Sequence, residues 1–264
     1  MVSSGKGGRR MIRAVFFDID GTLMPFGAPG IPESTQAALD ALTLRGIDRV
    51  IATGRHTTEI DLLPIRDVPF DAWITLNGQL CYDGQGRIFF ENPLTGPEGL
   101  LQLFHEKRIP VMLVEKDRMY INFVNEKVIA AQLDIATPVP EVGEYQGASI
   151  YQAIVYVTRE EQAEMARRIG DKQITRWNDR AVDIVEKGAS KVTGIEKYLA
   201  LKGYRREETV AFGDGENDVE MLRYVHIGVA MGNARQTVKQ AADRVTASAE
   251  EDGIMKGLHE LGLI

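Results

Sequence analysis

Residues 16–23 read FFDIDGTL, an apolar run that ends in two aspartates one residue apart, followed by Gly-Thr. Side chains at i and i+2 of an extended chain point to the same side. Asp18 and Asp20 therefore face one small volume, where like charges repel. A metal ion, a proton held by one of them, or solvent must offset that repulsion. An aspartate at a strand end is most often a turn or cap residue. The pair needs partners elsewhere in the chain before it means chemistry.

Working outward, IRAVFF (12–17) reads as a buried strand. From Glu33 to Arg45, Ala38, Leu39 and Leu42 recur at helical spacing, and Gly46 sits where a helix stops. A second strand is expected over 47–52, ending in Thr53-Gly54-Arg55. A short helix follows, then a third strand, WITL (73–76), ending in Asn77-Gly78. Strand, helix, strand with short links predicts right-handed βαβ units and a parallel sheet.

After about residue 80 the pattern changes. CYDGQGRIFF (81–90) and PVMLVEKDRMYINFV (110–124) read as hairpins. Helices are expected near 97–107, 125–134 and 159–169, and strands at 150–157, 173–177 and 181–185. Hairpins mixed with helices imply an α+β unit with its own antiparallel sheet. From about 188 the βαβ rhythm returns. It gives a helix at 190–202, strand 209–212, helix 217–224, strand 227–231, helix 234–242, strand 244–246 and a last helix. The expected fold is α/β, a Rossmann-like parallel-sheet core domain from 11–80 and 188–264. An α+β cap domain is inserted at 81–187, and residues 1–10 form a flexible tail.

Four places that could carry chemistry fall at expected strand ends or helix starts, where open α/β sheets bind ligands. They are Asp18 with Asp20, Thr53, Lys191 in GASKVTGI, and Asp214, Asn217 and Asp218 in GDGEND. Carboxylates such as Asp18 and Asp214 are the hard oxygen ligands that suit Mg²⁺. A cation there would offset the repulsion and let Asp18 approach a phosphoryl group. Asp20 could then shuttle the proton, a task for which its ordinary pKa of about 3.9 must rise. Thr53 offers a hydroxyl and an N–H to phosphoryl oxygens, and Lys191 a compact point charge. This is metal-assisted phosphoryl transfer through an aspartyl phosphate.

DIDGT, TGR, the lysine of GASKVTGI and GDGEND, in that order, resemble the four motifs of the haloacid dehalogenase-like (HAD) hydrolases. The closer likeness is to their Cof-type phosphatases, which carry a type C2 α/β cap between the second and third motifs. LNG (76–78), VAMGNA (229–234) and EDGI (251–254) are similar to that family's pattern as well. The resemblance implies Asp18 as nucleophile and Asp20 as general acid/base. It implies Mg²⁺ on the Asp18 carboxylate, the Asp20 carbonyl and Asp214, with Asp218 in or just behind the metal shell. Thr53 and Lys191 would hold phosphoryl oxygens, Gly54 would belong to the same substrate-binding segment, and Asn217 would contact phosphate or substrate. Arg55 either touches substrate or forms a structural salt bridge. The implied partner is a small phosphorylated metabolite, with sugar phosphates leading. Within the cap, Asp183 and Glu186 are candidates for contact with a sugar hydroxyl.

Composition agrees with a globular chain: 44% hydrophobic and 26% charged over 264 residues. A net charge of −7 disfavours nucleic acid or an anionic membrane as partner. Cys81 is the only cysteine, which excludes an intrachain disulfide. The basic opening MVSSGKGGRR lacks the apolar segment of a signal peptide, and no run of about 18 apolar residues occurs. A cytoplasmic location is expected. GDGEND is no dinucleotide fingerprint, because Asp218 stands at the third glycine position. The four histidines show no zinc spacing. Two rivals share the core chemistry: a phosphosugar mutase, and a receiver-like phospho-switch, which has no use for Asp20 or for a large insert.

Overall fold

The computed structural model describes residues 11–65, 68–134 and 137–264; the tail expected at 1–10 lies outside them. Strand β1 (Ala14–Phe17) is buried on both faces. Val15 and Phe17 join one apolar layer, and Ala14 and Phe16 the other. That double burial is why the strand reads as a continuous apolar run. The chain continues through α1 (Glu33–Leu44), β2 (Asp48–Ala52), α2 (Thr57–Ile60), β3 (Ala72–Thr75), β4 (Leu80–Asp83) and β5 (Ile88–Glu91). Next come α3 (Glu98–Glu106), β6 (Val111–Val114), β7 (Met119–Ile121), α4 (Glu126–Asp134), β8 (Gln152–Val155), α5 (Arg159–Ile169), β9 (Gln173–Asn178) and β10 (Ala181–Val185). The last part holds α6 (Lys191–Lys202), β11 (Thr209–Gly213), α7 (Val219–Tyr224), β12 (Ile227–Ala230), α8 (Gln236–Lys239), β13 (Arg244–Val245) and α9 (Gly253–Glu260).

Eight strands form the larger sheet in the order β13-β12-β11-β1-β2-β3-β4-β5. Pairing is parallel from β13 to β3 and antiparallel from there to β5. The chain runs outward from β1 through β2 and β3, then returns to β11 on the other side of β1. The carboxyl end of β1 is thus a topological switch point, where such sheets bind ligands. Helices α1 and α9 cover one face through Leu39, Leu42, Ile254 and Leu258. Helices α6 and α7 cover the other through Ile195, Tyr198, Met221 and Leu222.

A second, antiparallel sheet has the order β7-β6-β8-β10-β9. One face carries Val111, Leu113, Val155, Val182 and Ile184 under the apolar side chains of α3 and α5. The opposite face is divided. Met112, Ile121, Tyr156 and Ala181 pack with Val128 and Ala131 of α4. Val114 packs with Tyr151 on Leu76 and Leu80 of the larger unit.

One expectation needs correction. The hairpin at 81–90, expected to open the inserted unit, instead extends the larger sheet, because β4 pairs with β3. The reason is the link between them. Leu76, Asn77 and Gly78 all take positive φ (50°, 52° and 88°), which reverses the chain at once onto the strand it has just left. The helix expected over 234–242 also shortens to Gln236–Lys239. Among the described residues, no helix is long and apolar enough to cross a membrane.

Helix α6 lies close against the sheet because of Gly194. A Cβ there would run into the Ile74 side chain and come within 3.0 Å of Cys81 Sγ. Gly194→Val is therefore expected to cost about 1–3 kcal/mol through overpacking, despite its gain in helix propensity. Urea unfolding checks this, and an unchanged midpoint would show that α6 has room to retreat.

Candidate active site

Lys191 is the first residue of α6 and is only 1% exposed. Its ammonium donates to Asp18 Oδ1 and to Asp218 Oδ1, each at 2.6 Å. Asp18 follows directly on β1, and Asp218 follows the turn after β11, so the lysine bridges the ends of two neighbouring strands. The other oxygen of Asp218, Oδ2, accepts from the backbone N–H groups of Asp214 (3.0 Å) and Gly215 (2.8 Å). That side chain therefore shapes the GDGEND turn while it holds the lysine.

Asp214 is aimed by two donors, Thr22 Oγ1 at 2.9 Å and Asn233 Nδ2 at 3.1 Å. Asn233 Nδ2 also donates to Gly21 O, at 2.9 Å, and its Oδ1 accepts from Ala249 N at 3.1 Å. Gly21 has φ +75°, and a Cβ at that position would collide with the Asp214 carboxylate and the Phe26 ring. The glycine of FFDIDGTL is what lets the loop pass that close.

Asp20 points elsewhere. Arg55 grips it with two parallel bonds, Nε to Oδ2 at 2.6 Å and a terminal guanidinium nitrogen to Oδ1 at 2.7 Å. Such a fork is the strong form of a carboxylate pair. Arg55 thus takes the ion-pair alternative, with Asp20 as its partner. The backbone N–H of Arg55 donates to Thr53 Oγ1 at 3.1 Å, and Thr53 itself is 1% exposed. A Cβ on Gly54 would stand 3.2 Å from Asn77 Nδ2. Exposed Asn217 donates to Asn77 Oδ1 at 3.1 Å, which joins the GDGEND turn to the LNG loop.

The cluster is electrostatically unbalanced. Burial pushes the Asp18 carboxyl up to about 8; Lys191 pulls it down and the Asp218 charge adds to the rise. Burial also lifts Asp214 to about 6, against the Thr22 hydrogen bond. Lys191 is held charged, because Asp18 and Asp218 together outweigh the burial that would lower it. Carboxylate oxygens of Asp18, Asp214 and Asp218 lie within 4.8 Å of one another. One ammonium among three buried carboxylates leaves a deficit that a hard divalent cation fits, in charge and in donor type.

Thr22, Asn77 and Asn233 are contributors that no motif position marked. Each lies inside a segment singled out in the sequence, DIDGT, LNG or VAMGNA, but nothing there says which side chain turns inward. Glu186 is committed elsewhere. It accepts from Thr95 N at 2.8 Å and pairs with Lys172 at 3.2 Å, clasping the two chain segments that join the sheets.

Removing the ammonium should expose this imbalance. Lys191→Met is expected to lower stability by about 3–5 kcal/mol at pH 8, the cost of leaving buried carboxylates unpaired. The loss should be smaller at pH 5. There a buried carboxyl left without its ammonium can take up a proton at far less cost than at pH 8, because an unfolded aspartate (pKa about 3.9) titrates close to pH 5. Denaturant curves at the two pH values decide it; an equal loss at both would refute the charge account.

Comparison with known proteins supplies the family. The family model for haloacid dehalogenase-like hydrolases matches residues 15–258. YkrA of Bacillus subtilis (strain 168), named as a phosphatase without a substrate, is 32% identical over 96% of this chain and 98% of its own. Pyridoxal phosphate phosphatase YbhA of Escherichia coli (strain K12) is 28% identical over 94% of this chain and 97% of its own. Among solved structures, the HAD subclass IIB sugar phosphatase BT4131 superposes with a TM-score of 0.80. It is 35% identical, and the match covers 96% of this chain and all (100%) of the other.

Proposed function

Because the chain belongs to the haloacid dehalogenase-like hydrolases and is a phosphatase of their Cof type, we propose that it hydrolyses a small phosphorylated metabolite, with sugar phosphates leading, through an aspartyl phosphate on Asp18. The observation that carries this reading is the Lys191 bridge between Asp18 and Asp218, with Asp214 beside it, at the switch point of the sheet. Asp18, the Asp20 carbonyl, Asp214 and Asp218 would hold Mg²⁺. When bound, the ion supplies the positive charge that lets these carboxylates and a phosphoryl group share the site.

The chain's own groups supply the rest. An Asp18 oxygen attacks phosphorus and displaces the leaving oxygen, which takes a proton from Asp20. A water then attacks the acyl phosphate and gives its proton to Asp20, releasing phosphate and restoring Asp18. Lys191 and Thr53 steady the phosphoryl oxygens, and Gly54 and Asn217 line the same segment. Both Asp20 oxygens are engaged by Arg55. Proton transfer therefore requires Arg55 to release at least one of them, so the clamp also controls when Asp20 is available.

The cap supports the sugar class. On the face of its sheet turned from α3 and α5, Asp183 Oδ1 accepts from the Trp177 indole N–H at 2.9 Å. Burial pushes Asp183 up to about 7, against the Trp177 hydrogen bond, and the Glu59 charge on α2 adds to the rise. Nearby Gln152 is 6% exposed, and its Oε1 lacks a hydrogen bond among the described residues. An indole, a carboxylate and an amide oxygen without a partner suit a polyhydroxylated leaving group.

Two outcomes follow. A phosphate-release screen over phosphorylated metabolites with Mg²⁺ should show turnover that vanishes in Asp18→Asn, with hexose phosphates as the best group. Asp183→Asn should then raise KM for those sugars. Release no greater than the Asp18 variant's would sink the hydrolase mechanism, and isomerised phosphate without release would identify a mutase. Separately, Asp20→Asn should lower kcat by about 10²–10⁴-fold with little change in substrate affinity. A matching loss of affinity would make Asp20 a binding group.

A further inference from the structure

His56 directly follows Arg55, and its ring is wholly enclosed (0% exposed). Its Nε2 lies 2.9 Å from Glu115 O and 3.0 Å from Lys116 O. Carbonyl oxygens only accept, so Nε2 carries the proton and shares one N–H between two backbone acceptors. On the other side Nδ1 accepts from Thr58 N at 3.3 Å and lies 2.8 Å from Thr58 Oγ1. One neutral tautomer thus uses both nitrogens.

The two sides of the ring belong to different sheets. His56 caps α2, with its backbone N–H bonded to Glu59 Oε2 at 2.8 Å. Glu115 and Lys116 form the turn of the β6–β7 hairpin. That turn is stiff: Glu115 N donates to Arg118 O at 3.0 Å, and the Glu115 carboxylate is held by Arg118 Nε at 2.7 Å and by the Tyr120 hydroxyl. The neighbouring apolar contact, Val114 and Tyr151 against Leu76 and Leu80, is tied at one point, where the Tyr151 hydroxyl donates to Glu91 Oε2 of β5 at 2.6 Å, and its aliphatic part tolerates sliding. A buried N–H shared between two carbonyls does not.

We propose that His56 is a positioning residue: it seats the turn of the β6–β7 hairpin on the loop that carries Thr53 and Arg55, and so sets the height of the cap over the catalytic carboxylates. Without this seat the cap samples raised positions, and a leaving group must pull it down before its contacts form. A phosphoryl donor with almost no leaving group gains nothing from the seat and loses nothing without it. The charges around the ring are Glu59 on its own helix, and Lys116, Asp117 and the Glu115–Arg118 pair on the turn. Burial keeps the imidazole below its ordinary pKa, against the Lys116 and Glu115 carbonyls, Glu59 and Asp117. The seat therefore stays neutral and intact through the neutral range.

The experiment compares wild type, His56→Phe and His56→Gln by hydrogen exchange over residues 111–121, without substrate. Steady-state kinetics on a hexose phosphate and on acetyl phosphate complete it. His56→Phe keeps a planar aromatic ring, somewhat larger than the imidazole, and loses the hydrogen bonds of both nitrogens. It should speed exchange in that segment about tenfold and raise KM for the hexose phosphate about tenfold, with acetyl phosphate turnover within about twofold. His56→Gln, whose amide N–H reaches the same carbonyls, should restore both. Unchanged exchange over 111–121 overturns the proposal. So does faster exchange throughout the protein, which would make the ring an ordinary core element. So does equal loss on both substrates, which would mean the Thr53–Arg55 loop itself has moved. The kinetic arm rests on the phosphatase reading; the exchange arm does not, so a wrong substrate class and a wrong seat give different results.

Discussion

The structure depends on one ammonium group. Lys191 Nζ lies 2.6 Å from oxygens of both Asp18 and Asp218, and it offsets the buried negative charge that gathers where the paired strands β1 and β11 end. Much else serves to bring that nitrogen there. Gly194 lets α6 lie low on the sheet. Gly78 lets the LNG loop pass beneath the start of the helix, where a Cβ would strike Ser190 O. The arrangement is costly for folding, since Asp18 is pushed far up its scale by burial. That cost is of the kind enzymes retain where charge must be ready before the substrate arrives.

Much of this is legible in the amino-acid sequence. The apolar runs that become β1, β2, β3, β11 and β12 stand within a residue or two of their expected positions, because a strand buried on both faces has few other ways to read. DIDGT, TGR, Lys191 and GDGEND could be joined because they all fall at strand ends or helix starts. The pairing of Asp20 with Arg55 could not be chosen in advance. Both alternatives for Arg55 use the same residues, and the distance between guanidinium and carboxylate is a property of the folded loop. The sheet that the 81–90 hairpin joins is hidden in the sequence for a related reason. The hairpin's alternation is the same whichever sheet it joins, and the partner is chosen by the backbone at Leu76–Gly78. Thr22 and Asn233 were invisible as contributors, since a small polar residue in a glycine-rich loop has the same appearance whether it aims a carboxylate or faces water.

The segment from Thr53 to His56 brings several functions onto one piece of backbone. Thr53 is tied to the N–H of Arg55, the Arg55 guanidinium holds Asp20, and the His56 ring meets the cap turn. A displacement of the cap hairpin is therefore felt three residues from Thr53 and next to Arg55, which holds Asp20. In the proposed mechanism, lid position and proton availability then share a lever, with no need for a longer path through the protein.

The clasp at Glu186 has a different consequence. Because this carboxylate binds Thr95 N and Lys172, the strands that leave and re-enter the larger unit run side by side where they cross. Two adjacent crossings act as one joint rather than as two separate anchors. They also make the intervening block a module. Its ends are already neighbours, so a block of different size or shape could be exchanged at this point without moving any strand of the eight-stranded sheet. The same chemistry can be supplied with another roof.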